Sequence, residues 1–372
     1  MHKLNFFPLG NADCCRIDLL NGNKILFDYA ATRGADNGDR RIDLPTVLRQ
    51  DLHYHRRSHY EVVAFTHLDD DHICGSTEFF HLQHDSRYQG EGRIHIGELW
   101  VPAAVITEDR PGGEASVIQK EARYRLLQGQ GIRVFSRPGR LQAWLARNGV
   151  SVEARRNLIT DAGQVVPGFT LDAHGVEFFV HSPFARRMND GGLEDRNQDS
   201  LVMQATFRVG TRHTRLILGA DATHNILTDI VQITRQHKRE ERLAWDVSKL
   251  PHHCSYLSLA PDKGVEKTQP VPEVRWLLEN QGAHGAIIVS TSDAIPSEDT
   301  DLPPHRQAAA YYRQDVIRPK LGEFKVTMEH PTRTKPGPLV VHVDALGARV
   351  EKSGGGGAGG VVGTVPPRAG RD

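Results

Sequence analysis

The chain has 372 residues, of which 38% are hydrophobic and 25% charged, enough to build a sizeable core in one or two domains. Lys+Arg and Asp+Glu both total 46, so bulk charge announces no nucleic-acid partner, and any such contact needs a local basic patch. No run approaches the roughly 20 apolar residues of a membrane span, the start MHKLNFFPLG lacks a signal-peptide pattern, and four cysteines do not make a disulfide framework. The expectation is a reduced, cytoplasmic protein with no membrane attachment.

In chain order, KLNFFPL, CCRIDLL and KILFDYA are short apolar segments separated by GNAD and NGN, which predicts successive strands with a tight hairpin at Asn21-Gly22. Residues 43–57 read as a helix, and VVAFT (62–66) as a buried strand that runs into a charged cluster. After Gly75 a helix is expected to carry Phe79, Phe80 and Leu82. Further helices are expected near 114–129 and 139–148. Strands follow at 176–180, 200–207 and 215–219, and a helix after Asp221. DVSKL (246–250), GAIIVST (285–291) and EFKVTM (323–328) read as strands, and LVVHVDALGARV (339–350) as a hairpin. Strands in runs at both ends with helices between them predict two mixed sheets with helices outside, in one domain over residues 1–350. A Gly-rich tail over 351–372 is expected to be disordered.

The cluster AFTHLDDDHICG (64–75) sets His67, Asp69, Asp71 and His72 directly behind an apolar strand. A dry turn cannot hold unpaired carboxylates, and a divalent cation supplies the compensating charge. Mixed His/Asp ligands suit zinc or manganese. In an extended turn, residues 67, 69 and 71 point the same way. The alternative is a solvated acidic loop that caps the next helix through Asp70 or Asp71. Two distant strand ends strengthen the metal reading. LILGADATHNIL places Asp221 after one strand, and KLPHHCSY places His252 and His253 after another. Strand ends converging on one rim are where α/β proteins build sites.

These motifs, in this order, resemble the metallo-β-lactamase-fold hydrolases of the ComEC type. The matching residues are Thr66-His67-Leu68-Asp69-Asp70-Asp71-His72-Ile73-Cys74-Gly75, Asn197-Gln198-Asp199-Ser200-Leu201-Val202, Gly219-Ala220-Asp221 and Pro251-His252-His253-Cys254-Ser255. Gly10-Asn11-Ala12-Asp13-Cys14 resembles the family's G-x-G-D turn, and Ile25-Leu26-Phe27-Asp28 its second strand. Ile287-Ile288-Val289-Ser290 and Pro304-His305 resemble a late strand and its loop. The likeness runs over about residues 4–345. It implies an αββα four-layer sandwich with one or two metal ions, Zn²⁺ with Mn²⁺ at the weaker site, and a metal-bound hydroxide as nucleophile. It implies that His67 and Asp69 hold the first metal. Asp71 and His72 would hold the second, with Asp71 beside the attacking water, and Asp221 would bridge the two. One of His252 and His253 would complete the second site, His252 being the first choice.

The sequence also departs from the family pattern. Cys74 and Cys254 stand at glycine positions and could ligate, oxidise or pack. The aspartate of the G-D strand end is shifted by one residue. A third histidine for the first metal has no clear match; His174, His181, Asn197 and Asp199 are the candidates. Arg186, Arg187 and Arg196 are candidate grips for phosphate oxygens, with Asp190, Glu194 and Asp195 as an internal charge balance instead. His305 is a candidate leaving-group donor or a plain turn residue. Ser255 and Asp13 could equally be caps or turn formers. The basic stretch HYHRRSHY (53–60) reads as an exposed helix end. The function expected is metal-dependent hydrolysis of a phosphodiester, in nucleic acid or a nucleotide-like molecule. The alternatives are hydrolysis of an ester, lactone or amide, and a metal-stabilised partner-binding component of a multi-gene system with a residual site. A carboxylate-rich set with an open position argues for catalysis over a closed structural site.

Overall fold

A computed structural model describes residues 1–36, 38–185 and 196–352. Arg186, Arg187 and the tail beyond 352 lie outside the described residues. The strands in chain order are β1 (His2–Phe6), β2 (Cys15–Asp18), β3 (Lys24–Phe27), β4 (His59–Ala64), β5 (His95–Pro102), β6 (Ile132–Phe135) and β7 (Ile159–Thr160). Then come β8 (Val176–Ser182), β9 (Val202–Val209), β10 (Arg212–Leu218), β11 (Trp245–Lys249), β12 (Gly282–Ser290) and β13 (Glu323–Val326). A small hairpin, β14 (Pro331–Thr332) and β15 (Lys335–Pro336), precedes β16 (Leu339–Asp344) and β17 (Gly347–Val350). One sheet has the order β17-β16-β1-β2-β3-β4-β5-β6-β7 and the other β13-β12-β11-β10-β9-β8. Both are mixed: β3 to β7 and β10 to β13 run parallel within their sheets, and the remaining neighbours are antiparallel.

Apolar residues sort into three clusters. The first packs one face of the larger sheet (Leu26, Val63, Leu99) against the helices Leu44–Tyr54, Gly113–Gln128 and Gly139–Arg147. The second fills the space between the sheets, where Phe27 and Trp100 meet Phe178 at ring distances of 6.0 and 5.4 Å. The third packs the smaller sheet against the helices His224–Gln236, Pro272–Gln281 and Arg306–Tyr311. Two mixed sheets flanked by helices are therefore what the chain forms. Among the described residues no helix is long and apolar enough to cross a membrane.

Several local expectations change. The helix after Gly75 stops at Phe79, because Phe80 turns extended and bridges to Ile94. Strands β5 and β6 went unread in the sequence: Gly97 and Glu98 interrupt the apolar pattern of β5, and Arg133 that of β6. Glu98 accepts from Trp100 Nε1 at 2.6 Å and from Arg133 at 3.2 Å, so the charge is bonded at the sheet surface rather than solvated. In the 67–72 stretch only the first residues are extended; Asp70–Ile73 form one helical turn with Asp69 at its N-cap. Neither Asp70 nor Asp71 caps a helix there.

The helix Gly113–Gln128 carries a buried ion pair, Arg125 Nε to Glu121 Oε1 at 2.7 Å, with both side chains at most 1% exposed. Arg125 also donates to the carbonyls of Ile96 and Gly131, and Glu121 accepts from His84 N and Nδ1. Burial alone would raise the Glu121 pKa, but Arg125 overrides it and holds the carboxyl below its usual range. The pair's stabilisation is thus full above the ordinary glutamate value of about 4.3 and is lost as pH falls below it. Glu121→Ala strands the guanidinium in the core and is expected to cost about 3–5 kcal/mol. Urea unfolding at pH 7 measures that loss.

Candidate metal centre

The site forms where the carboxyl ends of β3, β4, β10, β11 and β12 meet one rim. It begins with Asp28, the residue after β3, which adopts a left-handed conformation (φ 58°). Its carboxylate is 2% exposed and accepts three hydrogen bonds: from Thr66 N (2.7 Å), Thr66 Oγ1 (2.8 Å) and His72 Nδ1 (2.9 Å). Asp28 therefore fixes the His72 tautomer and turns Nε2 inward. Gly75 completes this turn at φ +76°, where an added Cβ would meet the Ala31 Cβ at 3.1 Å.

The other donors arrive from the second sheet. Asp221 follows β10, is 3% exposed, and faces both ways. Its Oδ1 lies 3.2 Å from His72 Nε2, and its Oδ2 lies 4.0 Å from His67 Nε2 and 3.9 Å from His253 Nε2. His253 Nδ1 donates to the Thr291 carbonyl at 2.7 Å, which presents Nε2 to Asp71 Oδ2 at 3.0 Å. His67 Nε2 lies 3.4 Å from Asp69 Oδ2. His67 Nε2, His72 Nε2 and Asp221 Oδ1 are buried and make no hydrogen bond within the protein. Ligand atoms about 2.0–2.2 Å from a tetrahedral divalent ion stand roughly 3.4 Å apart. The spacings of 3.0–4.0 Å fit that demand, and the compact groups Asp13-His72-Asp221-His253 and His67-Asp71-His72 could each hold a metal ion.

Electrostatics tell the same story. Burial would depress the His72 imidazole, yet Asp28 and Asp221 hold it well above its usual range. Burial likewise opposes charge on His253, but Asp221 and Asp71 push it up to about 9. Burial would raise Asp221, and His72 and His253 instead hold it well below the carboxylate range. Protons on the histidines balance the carboxylates here; an entering cation would replace them.

The geometry separates the histidine candidates. The preference for His252 over His253 is reversed, because His253 Nε2 points into the cluster while His252 belongs to neither compact group. His252, His253 and Cys254 are consecutively left-handed (φ 49°, 51° and 65°), and within that bend it is His253 whose Nε2 meets Asp71 at 3.0 Å. His181 is not the missing ligand, since its Nε2 donates to the Arg242 carbonyl at 2.9 Å, and burial drops its pKa to about 4. His174 ends a short helix, with Nδ1 accepting from Thr170 N, and supplies no ligand either. His305 is 2% exposed; its ring accepts from Tyr256 N and donates to the Asp301 carbonyl, both at 3.4 Å, so it works as a turn residue.

Asp199 is buried in the turn that Leu201 N pins to the Thr66 carbonyl at 3.0 Å, but it joins neither compact group. Arg196 reaches the cluster by binding Asp69 at 2.8 Å. Neither cysteine is a donor: Cys254 packs in the core with its thiol pushed up to about 12 by burial, and the half-buried Cys74 faces the Ala31 carbonyl at 3.9 Å. The sequence reading missed Lys249 and Thr291. Lys249 Nζ and Thr291 Oγ1 donate to the two oxygens of Asp13, so a protein cation already engages that carboxylate. Compared with known proteins, the chain matches no family model and no curated protein.

Asp28→Asn would present an amide donor to groups that themselves donate. It is expected to weaken Zn²⁺ affinity about 10–100-fold with the fold retained. A competition titration with a chromogenic chelator reads this, beside the far-ultraviolet spectrum.

Proposed function

We propose that the chain is a metal-dependent hydrolase with the metallo-β-lactamase fold, ComEC-like, acting on a phosphodiester. The observation that carries this reading is the convergence of buried donor atoms that face chiefly one another: His72 Nε2 and Asp221 Oδ1 at 3.2 Å, and His67 Nε2 and Asp69 Oδ2 at 3.4 Å. Buried polar atoms are costly unless fully satisfied, and a divalent ion is a group that these atoms fit. The donor set is rich in carboxylates and imidazoles, which suits zinc or manganese. When bound, such ions make water acidic enough to attack at neutral pH and polarise the scissile group.

The protein's own residues then have separable tasks. His72, His253, Asp71 and Asp221 form the inner set, with side-chain exposures of 0, 2, 34 and 4%. We assign His67 and Asp69 to an outer set on their 3.4 Å approach; Asp69, 38% exposed, joins neither compact group, and His67 itself groups with Asp71 and His72. Asp221 Oδ1 faces His72, while Oδ2 stands between His253 and His67 at 3.9 and 4.0 Å, so the carboxylate borders both sets. That sharing favours phosphoryl transfer, in which two ions hold the entering and leaving oxygens. Asp71, partly exposed and held by His253 Nε2, stands at the mouth, where its carboxylate can orient a water.

Asp71→Ala is expected to abolish turnover of a chromogenic phosphodiester while the unfolding midpoint changes little. Unchanged turnover by the purified variant would remove Asp71 from the chemistry. The outer set has a single imidazole, so its ion is expected to be lost on exhaustive dialysis. The inner ion should stay, and added Mn²⁺ should raise activity. Two tightly held zinc ions per chain would contradict this asymmetry.

A further inference from the structure

Four of the five N–H groups of Arg196 are engaged inside the protein. Nη1 donates to the Leu68 carbonyl at 2.7 Å and to Asp69 Oδ1 at 2.8 Å. Nε donates to Glu108 Oε1 and Oε2 at 3.1 and 3.2 Å, and Nη2 to Oε1 at 2.6 Å. Glu108 follows the helix Ala103–Thr107, which continues directly from β5. One side chain thus joins the turn after β4, the segment after β5 and the segment that enters β9.

The consequence falls on Asp69. With Oδ1 pinned, the carboxylate cannot exchange its two oxygens by rotation, and Oδ2 is left 3.4 Å from the orphaned His67 Nε2. That spacing is the edge of a tetrahedron of ligand atoms around a divalent ion, about 3.4 Å. Asp221 needs no such brace because it is buried; Asp69 is 38% exposed and would otherwise turn into solvent. A guanidinium alone would repel a nearby cation. Glu108, 13% exposed, cancels its charge, so Arg196 can orient Asp69 without excluding an ion.

We propose that Arg196, anchored by Glu108, is the positioning residue of the outer metal site: it fixes Asp69 with one oxygen facing His67 and so decides whether a second divalent ion is held. This deepens the hydrolase reading and rests on it. Hydrogen-bonded partners of ligating side chains contribute about 10–100-fold in metal affinity.

The test is calorimetric titration of Mn²⁺ and Zn²⁺ into metal-free wild type, Arg196→Gln, Arg196→Lys and Glu108→Gln, with the unfolding midpoint of each. The inner ion should bind alike in all four proteins. The outer ion should weaken about 10–100-fold in Arg196→Gln and Glu108→Gln, and less in Arg196→Lys. Excess Mn²⁺ should return kcat toward wild type, shifting the metal requirement rather than the maximal rate. An outer ion held as tightly, or more tightly, in Arg196→Gln overturns the proposal. If that variant does not fold, unchanged outer affinity in Glu108→Gln overturns it instead. Wild type that binds no metal at all would remove the hydrolase reading itself.

Discussion

A single buried carboxylate, Asp28, sets the direction of the whole centre. It draws Thr66 and His72 together with three hydrogen bonds and turns the second imidazole nitrogen of His72 toward Asp221, Asp13 and Asp71. Everything else at the rim is arranged around that nitrogen. The left-handed backbone at Asp28 and Ala220, and at the three residues from His252, is local strain held in place by the two sheets behind it. Such strain gathers where side chains must be aimed rather than merely packed.

Charge is divided between what the protein neutralises itself and what it leaves open. Lys249 serves Asp13, and Arg196 serves Asp69 while Glu108 offsets it. Among the described residues, the ion-pair partners of Asp71 and Asp221 are histidines, and those histidines can carry protons or give them up to a cation. The inner set has two imidazoles and the outer set one, so on the proposed reading the inner ion belongs to the fold and the outer one to exchange. The distribution of fixed cations and open carboxylates makes the two positions different in kind.

The candidate cluster was legible in the sequence because charge beside a buried strand is conspicuous. His67, Asp69, Asp71, His72 and Asp221 could be picked out by position alone, and most strands and long helices by their apolar runs. Supporting residues were not conspicuous. Asp28 pairs with a residue 44 positions away, and Lys249 with one 236 away, and each looks like an ordinary polar residue at a strand end. The choice between His252 and His253 depends on which ring meets Asp71, and no side-chain pattern announces that. Strand β5 escaped because Glu98, which satisfies Trp100 and Arg133, breaks its apolar pattern. Local composition shows where charge is gathered; the partners that orient it are a matter of tertiary pairing.

X-ray absorption at the zinc edge of the zinc-loaded protein tests the central claim most directly. The account predicts a first shell of nitrogen and oxygen atoms at about 2.0–2.2 Å, with imidazole scattering from His67, His72 and His253 and no sulfur. A sulfur neighbour at about 2.3 Å would place Cys74 or Cys254 in the shell and contradict the centre built on Asp28, His72 and Asp221.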